Sequence, residues 1–111
     1  MSSSHETMYW DSLGQSLAPG TAYSVSLPVG TTEWTVINTS GGEIGIAGTA
    51  ASIAVAANVV PIPTTQAMTG KGQSLFVGNA TVGALTVVVR WGRPGRQPSN
   101  DAGSASFTAL P

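Results

Sequence analysis

Side chains able to do chemistry are few in this sequence and widely scattered. His5 is the single histidine among 111 residues, so any Ser-His-Asp arrangement would have to be built on it. It stands in a polar stretch, Met1-Ser2-Ser3-Ser4-His5-Glu6, where nothing fixes its tautomer or position, and it reads as a solvated tail residue. The carboxylates are Glu6, Asp11, Glu33, Glu43 and Asp101. A glycosidase pair must stand roughly 5–10 Å apart in a cleft. Glu33 and Glu43 flank one predicted hairpin and could face each other across it, but charged strand ends that discourage edge pairing are the simpler reading. With no cysteine and dispersed acids, no spacing matches zinc or calcium coordination. Gly70-Lys71-Gly72 lacks the preceding glycine and following Ser/Thr of a phosphate loop and reads as a hairpin tip. The expectation is a non-enzyme with no catalytic residue, no metal and no cofactor.

Arg90, Arg93 and Arg96 cluster around Trp91-Gly92 and Pro94-Gly95, a basic, aromatic run of the kind that contacts phosphates or stacks on bases. Three arginines release few counterions, however, and the chain as a whole carries a net charge of −1. Nucleic acid is therefore not the expected partner. The distribution of charge suggests another use. Glu6, Asp11, Glu33 and Glu43 make the first 43 residues acidic, whereas every basic residue lies between Lys71 and Arg96. Such polarity suits contacts in which an arginine-rich segment meets a neighbour's acidic one, with Arg pairing bidentately. Asn38-Thr39-Ser40 and Asn79-Ala80-Thr81 match the glycosylation acceptor pattern, but in a chain without a secretory signal they read as turn residues.

Charged residues make up 8% of the chain, against about a quarter in an average soluble domain. A surface this neutral is expected to be covered by neighbours. The start of the chain lacks the basic and apolar regions of a secretory signal, and the later apolar runs are short and broken by glycine, so a soluble product of the cytoplasm with no membrane span is expected.

The elements that must position these groups are mostly strands. Residues 1–20 form a polar segment with an apolar cluster at Met8, Tyr9, Trp10, Leu13 and Leu17, whose spacing allows one or two helical turns; it is expected to be an N-terminal arm. Residues 21–92 form the predicted domain. Tyr23, Val25 and Leu27 alternate with small residues, and Glu33–Asn38 is rich in strand formers. A tight loop then leads to Ile44-Gly45-Ile46, predicting a hairpin. Ile53 and Val55, the Val59-Val60-Pro61-Ile62-Pro63 run, Leu75-Phe76-Val77 and Ala84–Trp91 supply further strands. Residues 93–111 mix proline, glycine and polar residues and are expected to be a C-terminal arm. The predicted fold class is all-β: a small antiparallel β-sandwich or jelly-roll-like barrel of six to eight short strands with extended arms. A core of about 70 residues without disulfides or metal supplies only ~3–5 kcal/mol, which predicts a homo-oligomer such as a trimer.

Taken in order, Trp34–Ser40, Glu43–Gly48, Val59–Pro63, Ser74–Gly78 and Leu85–Val89 resemble the strand-and-turn pattern of small β-sandwich virion proteins of tailed bacteriophages. The resemblance covers residues 21–92 and carries no catalytic signature. It implies a virion structural role, as a capsid decoration or cement protein that bridges subunits of the major capsid protein. Arg90–Arg96 falls outside the pattern and leaves open a tail, head–tail junction or fibre-base role. Tyr9, Trp10, Arg93, Arg96 and Phe107 are the candidate interface residues, because aromatic and Arg side chains concentrate interface energy. On this reading, removal of residues 1–18 leaves a folded domain. The rival is a receptor- or carbohydrate-binding module, which would need Tyr23, Trp34 and Trp91 to point outward; Trp34 and Trp91 are expected in the core.

Overall fold

The computed structural model describes residues 8–47, 60–94 and 104–110, which contain nine strands and, among the described residues, no helix. In chain order these are β1 (Met8–Leu17), β2 (Thr21–Ser26), β3 (Glu33–Asn38), β4 (Ile44–Ala47), β5 (Val60–Ile62), β6 (Ala67–Lys71), β7 (Ser74–Asn79), β8 (Leu85–Pro94) and β9 (Ser106–Ala109). One sheet has the order β1-β8-β3-β6 and the other β5-β4-β7-β2-β9.

All pairing is antiparallel. β1 pairs with β8, β2 with β7, β3 with β6 and β4 with β5, so β1–β8 form one long hairpin. That hairpin wraps on itself until β8 also meets β3 and β7 also meets β4. This is a jelly roll, with β9 added outside β2.

Alternation along the strands builds the core. Val25, Val36, Ile44, Ile46, Ile62, Leu75, Val77, Val87 and Val89 turn inward from both sheets, while Ser24, Thr35, Phe76, Thr86 and Val88 are less buried. Each fully buried aliphatic side chain contributes about 1.5–3 kcal/mol. Trp34 and Trp91 are opposite one another on β3 and β8 and are buried at one end of this core. Gly70, opposite Trp34 on β6, makes room for its indole: a Cβ there would overlap the Trp34 ring.

Four expectations need correction. Residues 8–17 are neither helical turns nor a detached arm; they are β1, which matches β8 at ten successive positions. The spacing of Leu13 and Leu17 suits either conformation, but so short a helix is marginal in water, and a Val-rich strand supplies a ladder in its place. At the other end, β8 runs on to Pro94 and Ser106–Ala109 pairs with β2, so the described parts of the C-terminal segment belong to the sandwich as well. Finally, β3 and β4 do not form a hairpin: β3 lies in one sheet and β4 in the other. The loop crosses between sheets, and Glu33 and Glu43 end at opposite ends of β3 instead of facing each other. Gly70-Lys71-Gly72 likewise leads from one sheet to the other, with Gly72 at a φ of 107°. The strand expected around Ile53 and Val55 lies outside the described residues, as do His5, Glu6, Arg96 and Asp101.

Candidate functional site

The interior of the barrel is filled by the aliphatic side chains named above, and among the described residues no three His, Asp or Glu side chains come together as metal ligands. Tyr23, Trp34 and Trp91 are no more than 9% exposed, so the sugar-binding platform they would have formed is absent from the surface. The polar chemistry sits instead at the two ends of the sandwich.

One end is closed by two asparagines in matching positions. Asn38 ends β3 and Asn79 ends β7, and both are essentially fully buried. The Nδ2 of Asn38 donates to the carbonyls of Gly42 (2.6 Å) and Ile62 (2.9 Å), while its Oδ1 accepts from the Ser40 N–H and hydroxyl. Asn79 repeats the pattern, donating to Leu17 (3.0 Å) and Gly83 (2.9 Å) and accepting from the Thr81 N–H and hydroxyl. Each therefore shapes its own sheet-crossing loop and pins the last carbonyl of a distant strand, β5 or β1. The Asn-x-Ser/Thr triplets are turn residues, as expected, and both amide nitrogens are engaged in the interior.

The other end is built from the β2–β3 loop, the β6–β7 turn and the last residues of β8. Its backbone is well paired: Leu27 donates to Gln73 (2.8 Å), Thr32 to Gly92 (3.0 Å) and Gly72 to Thr32 (3.0 Å). Thr31 donates to Pro28 (3.1 Å), closing a turn in which Gly30 has a φ of 94°, the positive value that a type II turn requires at its third residue. Its side chains are another matter. Among the described residues, Thr31 Oγ1, Trp34 Nε1 and Arg93 Nε are buried without a hydrogen-bond partner. β1 and β8 pair on to Tyr9–Arg93 and Met8–Pro94, two positions past the last residue of β8 that pairs with β3, forming a two-stranded tip. From this tip the Arg93 guanidinium lies over Gly30, its Nε 3.3 Å from where a Cβ would stand. Val29, Gly30, Arg93 and Pro94 line an open cleft of about 440 Å³ there, with Val29 82% exposed.

The candidate interface residues therefore part company. Tyr9 and Arg93 meet at the tip and are half-buried. Trp10 is 36% exposed on the outer face of the first sheet, with the Arg90 guanidinium 5.3 Å from its ring centre, within cation–π range. Phe107 packs against the core edge, its ring edge-on to Tyr23 at 6.2 Å. Sequence reasoning missed Val29, Gly30 and Pro94 as parts of a cleft. The Pro28-Val29-Gly30 turn signal was visible, but its meeting with Arg93 depends on the β8 register.

No protein-family model matches this sequence. No curated protein does either. Among solved structures, the chain is similar to an uncharacterized conserved protein with a double-stranded beta-helix domain from Klebsiella pneumoniae subsp. pneumoniae MGH 78578, at 22% identity and a TM-score of 0.52, covering 94% of this chain and 78% of that one. The fold is a double-stranded β-helix. Within it, the barrel interior is a packed aliphatic core, and among the described residues the unpaired buried polar atoms lie at one end.

Proposed function

We propose that this chain is a structural virion protein of the tailed-bacteriophage type, a self-associating capsid decoration or cement protein, and that it is not an enzyme. The observation that carries this reading is the packed interior. Double-stranded β-helices and jelly rolls serve as capsid proteins, lectins and enzymes alike, so the fold by itself does not choose among them. Here the barrel cavity is occupied by Val, Ile and Leu, and no cluster of acid–base or metal-ligating side chains among the described residues faces it. Its exposed strand positions carry Ser, Thr, Gly and Val more often than charge. Repeated weak, nearly uncharged contacts suit a protein that reinforces a shell, because symmetry multiplies them.

The test is the mass of the full chain by light scattering at micromolar concentration. A homo-oligomer, with a trimer as the expected species, supports the reading; a monodisperse monomer of 11.2 kDa overturns it. Saturable binding on a glycan array through the exposed Trp10 face would replace it with a receptor-binding module.

A further inference from the structure

We infer that Asp11 and Gln15 close the outer edge of β1 against the addition of a further strand, so that copies of this chain do not join edge to edge there. The inference stands whether or not the chain self-associates as proposed above; it excludes one route. The outermost strands of the two sheets differ in what blocks their edges. β5 is three residues long with Pro61 at its centre, β9 is four residues long, and β6 ends on Lys71. Short strands, proline and lysine are common obstacles to edge pairing. β1 has none of them. It runs for ten residues, matches β8 at ten successive positions without a bulge, and contains neither proline nor lysine. Asp11, Ser12, Gly14 and Ser16 are exposed along it.

The register decides which backbone groups of β1 face outward. The Asn38 N–H donates to the Gln66 carbonyl beside β6, so the even positions of β3 turn toward β6 and the odd ones, Thr35 among them, toward β8. Thr35 stands opposite Arg90, and Arg90 opposite Ser12. By the same alternation Arg90 turns its N–H and C=O to β3. Ser12, with Trp10, Gly14 and Ser16, therefore points its own away from β8 to the outer edge. Side chains of β1 itself reach two of these groups. Asp11 Oδ1 accepts the Ser12 N–H at 2.8 Å, and Gln15 Nε2 donates to the Ser16 carbonyl at 3.2 Å. An incoming strand would have to displace both bonds, on either side of Gly14, and would bring the Asp11 carboxylate out of water.

Two measurements on the full chain test this. In native-state hydrogen exchange of the unchanged chain, the Ser12 amide is expected to be about tenfold better protected than the Gly14 amide, since both face the edge and Ser12 is bonded to Asp11. Equal protection would overturn the capping. The Asp11→Thr, Gln15→Thr double variant puts strand formers in place of both caps. At a temperature where circular dichroism shows it folded, it is expected to form sheet-rich aggregates about tenfold faster than the unchanged chain, followed by thioflavin fluorescence. Asp11→Asn keeps an acceptor for Ser12 without the charge and is expected to behave like the unchanged chain. A double variant that aggregates no faster than the unchanged chain would overturn the inference. So would Asp11→Asn aggregating as fast as the double variant, because the protection would then come from charge and not from the hydrogen bond.

Discussion

The two ends of the sandwich solve the same problem differently. Each must close a barrel whose strands stop and cross between sheets. At the asparagine end, both buried side-chain amides find two acceptors and two donors, all within the same chain. At the tryptophan end, the backbone is equally well paired, yet a hydroxyl, an indole N–H and a guanidinium N–H are buried without partners among the described residues. Buried polar groups are nearly always hydrogen-bonded in native proteins, so the three at this end mark it as the less completely paired of the two among the described residues. The contrast separates an end closed by its own side chains from one whose side chains are less completely paired.

The largest effect is expected where one strand ties both ends together. β1 reaches from the Leu17 carbonyl held by Asn79 to Tyr9 beside Arg93 at the tip. Removing residues 1–18 would strip β8 of a ladder partner along its whole length and uncover Val89 and Trp91. The truncated chain is expected to lose its cooperative thermal unfolding transition, followed by circular dichroism; a transition like that of the full chain would show that β1 is the arm its composition suggests.

Next in size come the asparagines themselves. Asn79→Ala would leave the Leu17 and Gly83 carbonyls and the Thr81 N–H without their partner in the interior. Orphaned buried groups are expensive, and the expected loss is about 3 kcal/mol in chemical denaturation. Asn38→Ala should behave alike, since its network is the same. A loss below about 1 kcal/mol at both positions would mean that the loops keep their shape without the clamps.

Much of this fold was legible in the chain. β3, β7 and β8 announce themselves through β-branched residues and alternation, and β2 through Tyr23, Val25 and Leu27 against Ala22, Ser24 and Ser26. β6 and β9 escaped notice because Ala67-Met68-Thr69-Gly70-Lys71 and Ser106-Phe107-Thr108-Ala109 are edge strands, each with one half-buried apolar side chain, Met68 or Phe107, packed against the core. Whether a five-residue loop such as 39–43 closes a hairpin or crosses to a second sheet is decided by which strands pair with β3, and those are β6 and β8, far along the chain. The same holds for the candidate site. Asn38 and Asn79 were visible as turn residues, and Arg93 as a candidate contact, but the carbonyls held by the first two and the Gly30 turn beneath the third are supplied by distant segments.

The smallest effect sharpens the comparison most. Thr31 is 4% exposed, and its Oγ1 has no partner among the described residues, although its N–H completes the turn with Pro28. Thr31→Val keeps the shape and the backbone bond while deleting only the orphaned hydroxyl. Removing an unsatisfied buried polar group relieves its desolvation penalty, so stability is expected to rise by about 1 kcal/mol, measured by denaturant midpoint at unchanged slope. Removing the hydroxyl of Thr81, a polar group at the other end, should lower stability, since it donates to Asn79 Oδ1 at 2.7 Å and Gly83 O at 2.9 Å. If Thr31→Val instead destabilises the chain, the hydroxyl is satisfied in solution by water or by a neighbouring copy, and the tryptophan end is as well paired as its opposite.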